Sequence, residues 1–152
     1  MATKKQAKDI VTESAQSVNM PYVTERWSGG MLTNFATIRK AIRKMTQIDK
    51  MEADGTLKTM SKRERLQVSR QRAKLEKNLG SISDMNRTPA AIFIVDVMKE
   101  HIALAEAKKL GIPVIAMVDT NSDPRPVDFP IPANDDASKS IKAVVDAITE
   151  AV

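Results

Sequence analysis

The chain has 152 residues, of which 42% are apolar and only 3% aromatic, and its net charge is +5. Because it has no cysteine and one histidine, His101, the sequence excludes a disulfide framework, a thiol nucleophile, a thiolate zinc site and a His-rich metal site. No apolar run approaches the ~20 residues that a bilayer crossing needs, and the first residues lack the apolar core of a secretory signal. These features predict a cytoplasmic protein with an aliphatic core and no membrane partner.

The positive charge is concentrated in residues 36–78, which hold 13 basic and 5 acidic side chains and so a net charge of +8. The rest of the chain has a net charge of −3. This asymmetry favours a polyanionic partner for the basic segment. A solvated helical face without any partner is the plainer interpretation of the same charges.

The opening of the chain predicts one helix and one turn. Apolar side chains recur at helical spacing over residues 3–18, and Pro21 ends that helix. Gly29-Gly30 then marks a flexible turn.

A long helical stretch follows the turn, and Asp54-Gly55 ends it. Its apolar side chains recur at steps of three and four residues, as they do along the seam of a coiled coil. The seam consists of Leu32, Phe35, Ile38, Ile42, Met45, Ile48 and Met51.

A second basic helix follows the break. Ser61 and Glu64 have the spacing of a capping box, in which each side chain satisfies a free backbone amide at the start of a helix. The apolar positions of this helix include Leu66 and Leu79. Two helices of similar length joined by a short break predict an antiparallel coiled-coil hairpin over residues 32–79.

The last third of the chain alternates strands and helices. Residues 90–97 and 112–118 are continuous apolar runs, as buried parallel strands are. Residues 127–132 form a short, proline-marked strand suited to the edge of a sheet. Helical segments follow the first and the last of these strands, and Asp135 or Asp136 is expected to cap the final helix.

This order of elements predicts an α/β fold with a Rossmann-like parallel sheet. The α/β domain comprises residues 1–31 and 80–152, and the helical hairpin of residues 32–79 is an insertion into it. No strand precedes the opening helix, although a parallel sheet normally has one there. The first strand of the sheet is therefore expected to be missing from this chain.

Aspartates at the predicted strand ends raise the alternative of a small magnesium-dependent α/β enzyme. Asp96 and Asp119 each follow a buried strand, at the edge where open α/β sheets bind ligands. Four more aspartates lie nearby in the sequence: Asp123, Asp128, Asp135 and Asp136. Turn formation and helix capping explain these residues more simply, and no glycine-rich phosphate loop or nucleophile elbow accompanies them. We therefore expect no catalytic residue, metal or cofactor.

Cations along the predicted hairpin are the stronger functional candidates, because lysine and arginine displace counterions from nucleic-acid phosphates. The absence of interleaved aromatic residues argues against stacking on single-stranded bases and for contacts with structured nucleic acid. A coiled coil that binds another helix, with little dependence on salt, is the competing class. The candidate phosphate contacts are Arg39, Lys40, Arg43, Lys44, Lys62, Arg63, Arg65, Arg70 and Arg72.

The segment RWSGGMLTNF, residues 26–35, is the most unusual in the chain. It places the only tryptophan, Trp27, beside Arg26 and two glycines. Paired glycines permit close approach of a partner to the backbone, and an arginine can clamp a phosphate. The alternative is architectural, with Trp27 filling a gap in the core and the glycines forming a tight turn.

This segment closely resembles the RWLGGMLTNF segment of the bacterial "S two" family of small-subunit ribosomal proteins. The stretches LEKNLGSISDM and IPANDDASKSI are also similar to that family, as is the whole of residues 89–124. The resemblance extends over essentially the entire chain. Ser28 stands where the family usually has leucine, and Asn121-Ser122 stands where Asn-Cys is common.

The resemblance implies a Rossmann-like domain with an inserted helical hairpin, and a structural role without enzymatic activity, cofactor or small-molecule substrate. It implies a position near the junction of head and body of the small ribosomal subunit, with rRNA, neighbouring ribosomal proteins and the large mRNA-binding protein "S one" as partners. Family members usually begin upstream with a strand that ends just before Ala2, so a truncated chain with an open sheet edge is expected. The motif residues expected to contact rRNA are Arg26, Trp27, Gly29, Gly30, Thr33 and Asn34.

Overall fold

The computed structural model describes residues 1–152 and has an α/β fold. None of its helices combines the length and the apolar character that a bilayer crossing requires. In chain order the elements are α1 (Lys5–Ser17), α2 (Phe35–Ala53), α3 (Thr56–Thr59), α4 (Lys62–Leu79), a 3₁₀ turn (Gly80–Ile82), β1 (Ile92–Val95), α5 (His101–Lys109), β2 (Val114–Val118), β3 (Phe129–Pro132) and α6 (Ser138–Ala151).

The three strands form one parallel sheet in the order β1-β2-β3. Val95 and Met117 pack against α1 and α6 on one face, while Ile94 and Ala116 pack with α5 on the other. Successive side chains of a strand point to opposite faces, so a sheet covered on both faces needs the continuous apolar runs seen in the sequence. The predicted parallel α/β arrangement is confirmed, and three strands are compatible with a Rossmann-like sheet.

The two edges of the sheet differ. At β3, Pro130 and Pro132 occupy the edge that the sequence predicted for a proline-marked strand. At β1, the backbone of Met1 pairs with the edge of the strand. The Met1 amine donates to the Phe93 carbonyl at 2.7 Å, and the Met1 carbonyl accepts from the Val95 amide at 2.9 Å. Burial lowers the pKa of this amine to about 6, although Glu100 partly opposes the shift.

Helices α2 and α4 contact each other. Four of the seven predicted seam residues are buried within α2: Ile38, Ile42, Met45 and Ile48. The capping box is also observed, because the Ser61 hydroxyl accepts from the Glu64 amide at 3.3 Å and the Ser61 amide donates to the Glu64 carboxylate at 3.0 Å. Leu66, one of the apolar residues of α4, is 51% exposed.

The prediction that Asp135 or Asp136 caps the last helix is wrong. Helix α6 begins at Ser138, and neither carboxylate accepts a hydrogen bond from its first turn. Instead the Asn134 side chain accepts from the amides of Asp136 at 2.8 Å and Ala137 at 3.0 Å. Both aspartate side chains are turned toward a distant lysine, which is described below.

Candidate nucleic-acid interface

The loop between α1 and α2 is wrapped around a buried carboxylate of α5. Glu106 accepts backbone hydrogen bonds from Gly30 at 2.6 Å, Leu32 at 2.9 Å and Thr33 at 3.1 Å. It also accepts from the Trp27 indole nitrogen and from the Thr33 hydroxyl, both at 3.2 Å. One side chain thus binds five donors of the loop and ties the loop to the α/β core.

The ionised form of Glu106 is favoured by these contacts. Only 8% of the residue is exposed, and burial by itself would raise the pKa of the carboxyl group. The hydrogen bonds from Thr33, Gly30, Leu32 and Trp27 outweigh that effect and hold the pKa below its ordinary value of 4.5. Since a hydrogen bond to a charged group contributes roughly 1.5–3 kcal/mol, the set is a major source of order in the loop.

Sequence reasoning missed Glu106. The residue lies within α5 on the same helix face as Ala103 and Ala107, which are fully buried. Glu106 follows Ala103 by three residues, so both lie on the apolar face of the helix. A carboxylate on such a face needs hydrogen-bond partners, and this spacing could have marked Glu106 as a buried, partnered charge. The partners themselves could not be read from the helix, since they lie 73 to 79 residues away in sequence.

The two glycines of the motif have different roles in the fold. Gly30 has a φ of +89°, and a Cβ atom there would lie 3.2 Å from the Cβ of Asn34, so the turn requires glycine. Gly29 is exposed, has no left-handed backbone conformation, and a Cβ atom there would meet nothing within 4 Å. The fold therefore explains Gly30 and leaves Gly29 unexplained.

The outer side of the loop is positively charged. Arg26 is exposed and forms no ion pair, while the neighbouring Glu25 is bound by Lys8 at 3.1 Å and Lys77 at 3.2 Å. Hydrogen bonds from Lys8 and Lys77 hold the pKa of Glu25 below its usual value. The exposed Asn34 accepts from the Thr37 hydroxyl at 2.8 Å. The motif thus combines donors that bind the buried Glu106 with the exposed, unpaired guanidinium group of Arg26.

Two of the nine predicted phosphate contacts are engaged within the chain. Arg39 donates to the backbone oxygen and side chain of Asn86, and Arg72 donates to Asp49 at 2.6 Å with Glu76 also nearby at 3.7 Å. The hydrogen bond with Asp49 raises the pKa of Arg72. The remaining predicted cations are exposed and form no ion pair: Lys40, Arg43, Lys44, Lys62, Arg63, Arg65 and Arg70.

Most of the free cations lie on the outer faces of the two helices. At 3.6 residues per turn, Lys40, Arg43 and Lys44 lie opposite the buried seam of α2. In α4 the side chain of Lys74, which was not selected from the sequence, is exposed and lies one turn beyond Arg70 on the same face. Lys74 could have been identified from its helical phase relative to the apolar residues, which a count of charges does not consider.

The aspartates at the strand ends do converge, but a lysine lies among them. The Lys4 ammonium is 3.2 Å from Asp96, 2.7 Å from Asp135 and 2.6 Å from Asp136. Burial would lower the pKa of Lys4, yet the hydrogen bonds to the three carboxylates raise it above its ordinary value. Asp119 completes the group, with oxygens of Asp119, Asp135 and Asp136 within 4.8 Å of one another. The cluster therefore has an internal counter-ion.

The other candidates of the enzyme alternative lie apart from this cluster. Asp123 pairs with Arg125 at 2.9 Å, and Asp128 accepts from the amide of Val114 at 2.8 Å. The ring of His101 lies 3.3 Å from the carbonyl of Met98, in the local turn before α5. These side chains are engaged in turns and in strand packing, which is the simpler role that the sequence suggested for them.

The fold and its exposed cations define an α/β protein with two basic helices, α2 and α4, which carry exposed lysines and arginines. The chain belongs to the ribosomal protein S2 family, whose family model matches residues 1–152. The resemblance noted in the sequence is thus confirmed. This is a family of structural, non-enzymatic proteins, so the magnesium-dependent enzyme using Asp96 and Asp119 is set aside.

Curated relatives agree with this assignment over the full length of the chain. It is 70% identical to the small ribosomal subunit protein uS2 of Flavobacterium johnsoniae and 70% identical to that of Flavobacterium psychrophilum. It is 68% identical to the protein of the same name from Porphyromonas gingivalis. The chain spans 60%, 57% and 54% of the length of these three relatives, respectively.

Proposed function

We propose that the chain is a structural constituent of the small ribosomal subunit in the cytoplasm, where it binds small-subunit rRNA and supports translation. Its relatives carry the name small ribosomal subunit protein, and identities of 68–70% over all 152 residues support the same role here. Neighbouring ribosomal proteins near the head–body junction, including the mRNA-binding protein "S one", are the proposed protein partners. These partners are proposed because the motif of residues 26–35 resembles that of the ribosomal family.

The observation that carries the rRNA proposal is the set of unpaired cations on the outer faces of α2 and α4. Arg43 and Arg70 are examples, since each is exposed and has no carboxylate partner within the chain. Unpaired cations retain their full ability to replace counterions on phosphates, whereas a cation that already has a partner must leave it first. We further propose that residues 32–79 form a coiled-coil hairpin that presents these cations, inserted into the α/β domain of residues 1–31 and 80–152.

Co-sedimentation with small ribosomal subunits depleted of their own copy of this protein tests the proposal across a salt series. The test variant replaces four hairpin cations with glutamine: Lys40, Arg43, Lys44 and Arg70. We expect the slope of log affinity against log salt to fall by about 0.9 for each duplex phosphate that the variant no longer binds. Saturable one-to-one recovery of the unsubstituted chain is the first requirement.

A matched control separates phosphate binding from general charge. It also replaces four exposed, unpaired lysines with glutamine, but outside the hairpin: Lys5, Lys108, Lys109 and Lys139. The proposal predicts a nearly unchanged salt slope for this control. Equal slopes for the hairpin variant and the unsubstituted chain would contradict the phosphate role, and would favour the competing class of a helix-binding coiled coil.

A further inference from the structure

We propose that Glu106 is a positioning residue for RNA binding, because it holds the 26–34 loop in one conformation in which Arg26 and the amides of Ser28 and Gly29 face a phosphate backbone. This inference rests on the proposed rRNA-binding function. It adds a residue that orders the loop and distinguishes it from the groups that contact the RNA. Glu106 does not touch the RNA in this arrangement. It acts through the loop that it binds.

The inward side of the loop is fully committed to Glu106. Its donors are the indole nitrogen of Trp27, the amides of Gly30, Leu32 and Thr33, and the Thr33 hydroxyl. These groups cannot bind a phosphate without leaving the carboxylate. The inference therefore assigns the polar hydrogens of Trp27, Gly30 and Thr33, which the sequence proposed as RNA contacts, to the support of the loop.

The loop also has hydrogen-bond donors that no group of the chain accepts from. The amides of Ser28 and Gly29 donate to no group of the chain, and Arg26 is exposed without an ion pair. The space around the Cα of Gly29 is open, so a partner can approach the backbone closely. Two free amides and a guanidinium group fit an anionic acceptor such as a phosphate oxygen.

The position of the loop in the chain favours RNA as the source of that anion. Helix α2, which carries the unpaired cations Lys40 and Arg43, begins at Phe35 directly after the loop. The loop and the basic helix are therefore adjacent along the chain. A loop that is already ordered binds with a smaller entropy cost than one that must order on binding, and the Glu106 hydrogen bonds supply that order in the free protein.

The test compares Glu106→Gln with the unsubstituted chain. The amide side chain has nearly the same shape, but it replaces an acceptor oxygen with an NH₂ group that faces the amide donors of the loop. We expect faster hydrogen exchange at the amides of Gly30, Leu32 and Thr33 and a changed fluorescence of Trp27. Affinity for depleted small subunits is expected to fall about tenfold, the equivalent of one hydrogen bond to a charged group, with an unchanged salt slope because no cation is removed.

Glu13→Gln is the matched control, since Glu13 is an exposed residue of α1 with no partner in the chain. It removes the same charge and should leave hydrogen exchange of the loop and subunit affinity unchanged. Glu106→Gln with fast-exchanging loop amides and undiminished affinity would overturn the inference. If Glu106→Gln does not fold, Glu106→Asp decides: the inference requires faster exchange of the loop and weaker binding together, and faster exchange alone contradicts it.

The proposed function and this inference fail in different ways. If the unsubstituted chain is folded and does not bind depleted subunits, the rRNA-binding function itself is wrong. If the unsubstituted chain binds with a salt dependence that the hairpin cations control, while Glu106 variants bind equally well, only the positioning role is wrong.

Discussion

Glu106 and Asp135 are both buried carboxylates of the α/β unit, yet their surroundings shift their pKa values in opposite directions. Glu106 accepts from five donors of one loop, and its pKa is lowered. Asp135 has one oxygen bound to Lys4 and one without a hydrogen-bond partner, and burial raises its pKa. Burial penalises both charges; at Glu106 the five donors outweigh it, whereas at Asp135 the charges of Asp96 and Asp119 add to it.

Glu106 and Asp135 also illustrate two ways in which a protein stabilises a buried charge. Glu106 is stabilised by hydrogen bonds from three backbone amides and two side chains of one loop, which fix the shape of that loop. Asp135 is neutralised by a shared cation, because Lys4 also serves Asp96 and Asp136. The first arrangement orders a surface loop, and the second ties the ends of the strands to the start of α1.

Removal of the shared cation is expected to have the largest effect. Lys4→Met leaves three carboxylates without a counter-charge, and breaking a buried ion pair in this way costs about 3–5 kcal/mol of unfolding free energy. Urea denaturation at neutral pH measures the change. Lys5→Met on the exposed side of the same helix is the control, and equal stability of the two variants would show that the ammonium group is dispensable.

The next largest loss of stability is expected when the carboxylate of Glu106 is replaced. Glu106→Gln should lower the free energy of unfolding by about 2 kcal/mol, because charge-assisted hydrogen bonds are replaced by weaker ones and one donor is left opposed. Denaturation with Trp27 as the fluorescent probe reports both the loop and the global transition. A decrease no greater than that of Glu13→Gln would contradict the role assigned to the five donors.

Substitution of Gly29 and of Gly30 is expected to have opposite consequences for stability and for binding. Gly30→Ala should cost about 1–2 kcal/mol of stability, since an L-residue is strained at a φ of +89° and its Cβ would lie close to Asn34. Gly29→Ala should change stability by less than about 0.5 kcal/mol, yet weaken subunit binding if a phosphate approaches there. Thermal denaturation and co-sedimentation of both variants test this reversal of order.

The opposite pKa shifts predict opposite responses to acid. The contribution of the Glu106 charge is fully present above its unfolded value of 4.5 and is lost as the pH falls through the lower folded pKa, so the deficit of Glu106→Gln should shrink in acid. The Asp135 charge becomes more unfavourable as the pH rises from its unfolded value of 3.8 through the raised folded pKa, so Asp135→Asn should gain on the unsubstituted chain as the pH rises. Parallel pH dependences of the two differences would contradict the comparison.

The smallest expected effect concerns two arginines of α4. Arg70→Gln should reduce the salt slope of subunit binding by about 0.9 if it binds one duplex phosphate. Arg72→Gln should change the slope much less, because Arg72 is held by Asp49 and Glu76. A slope change that is the same for both would show that internal ion pairs do not withhold a cation from the RNA.

Local patterns in the sequence predicted most of the fold. The seam of α2, the capping box at Ser61 and the parallel strands follow from spacing and from continuous apolar runs, which depend on near neighbours. Apolar character alone did not predict that Leu66 is exposed, one turn before Arg70 on the same side of α4. Glu106 and Asp135 were missed or misassigned because their partners lie far away, with 131 residues between Asp135 and Lys4. Only the folded sheet brings such groups together.

The prolines of β3 have a consequence for free copies of the chain. Ala133 donates its amide inward to the Val118 carbonyl at 3.2 Å, and the alternation of a strand then turns positions 130 and 132 outward, where proline has no amide to donate. A strand arriving at this edge finds carbonyl acceptors but no donors, even though Phe129 beside it is 60% exposed. This edge therefore resists the strand-to-strand pairing that leads to aggregation.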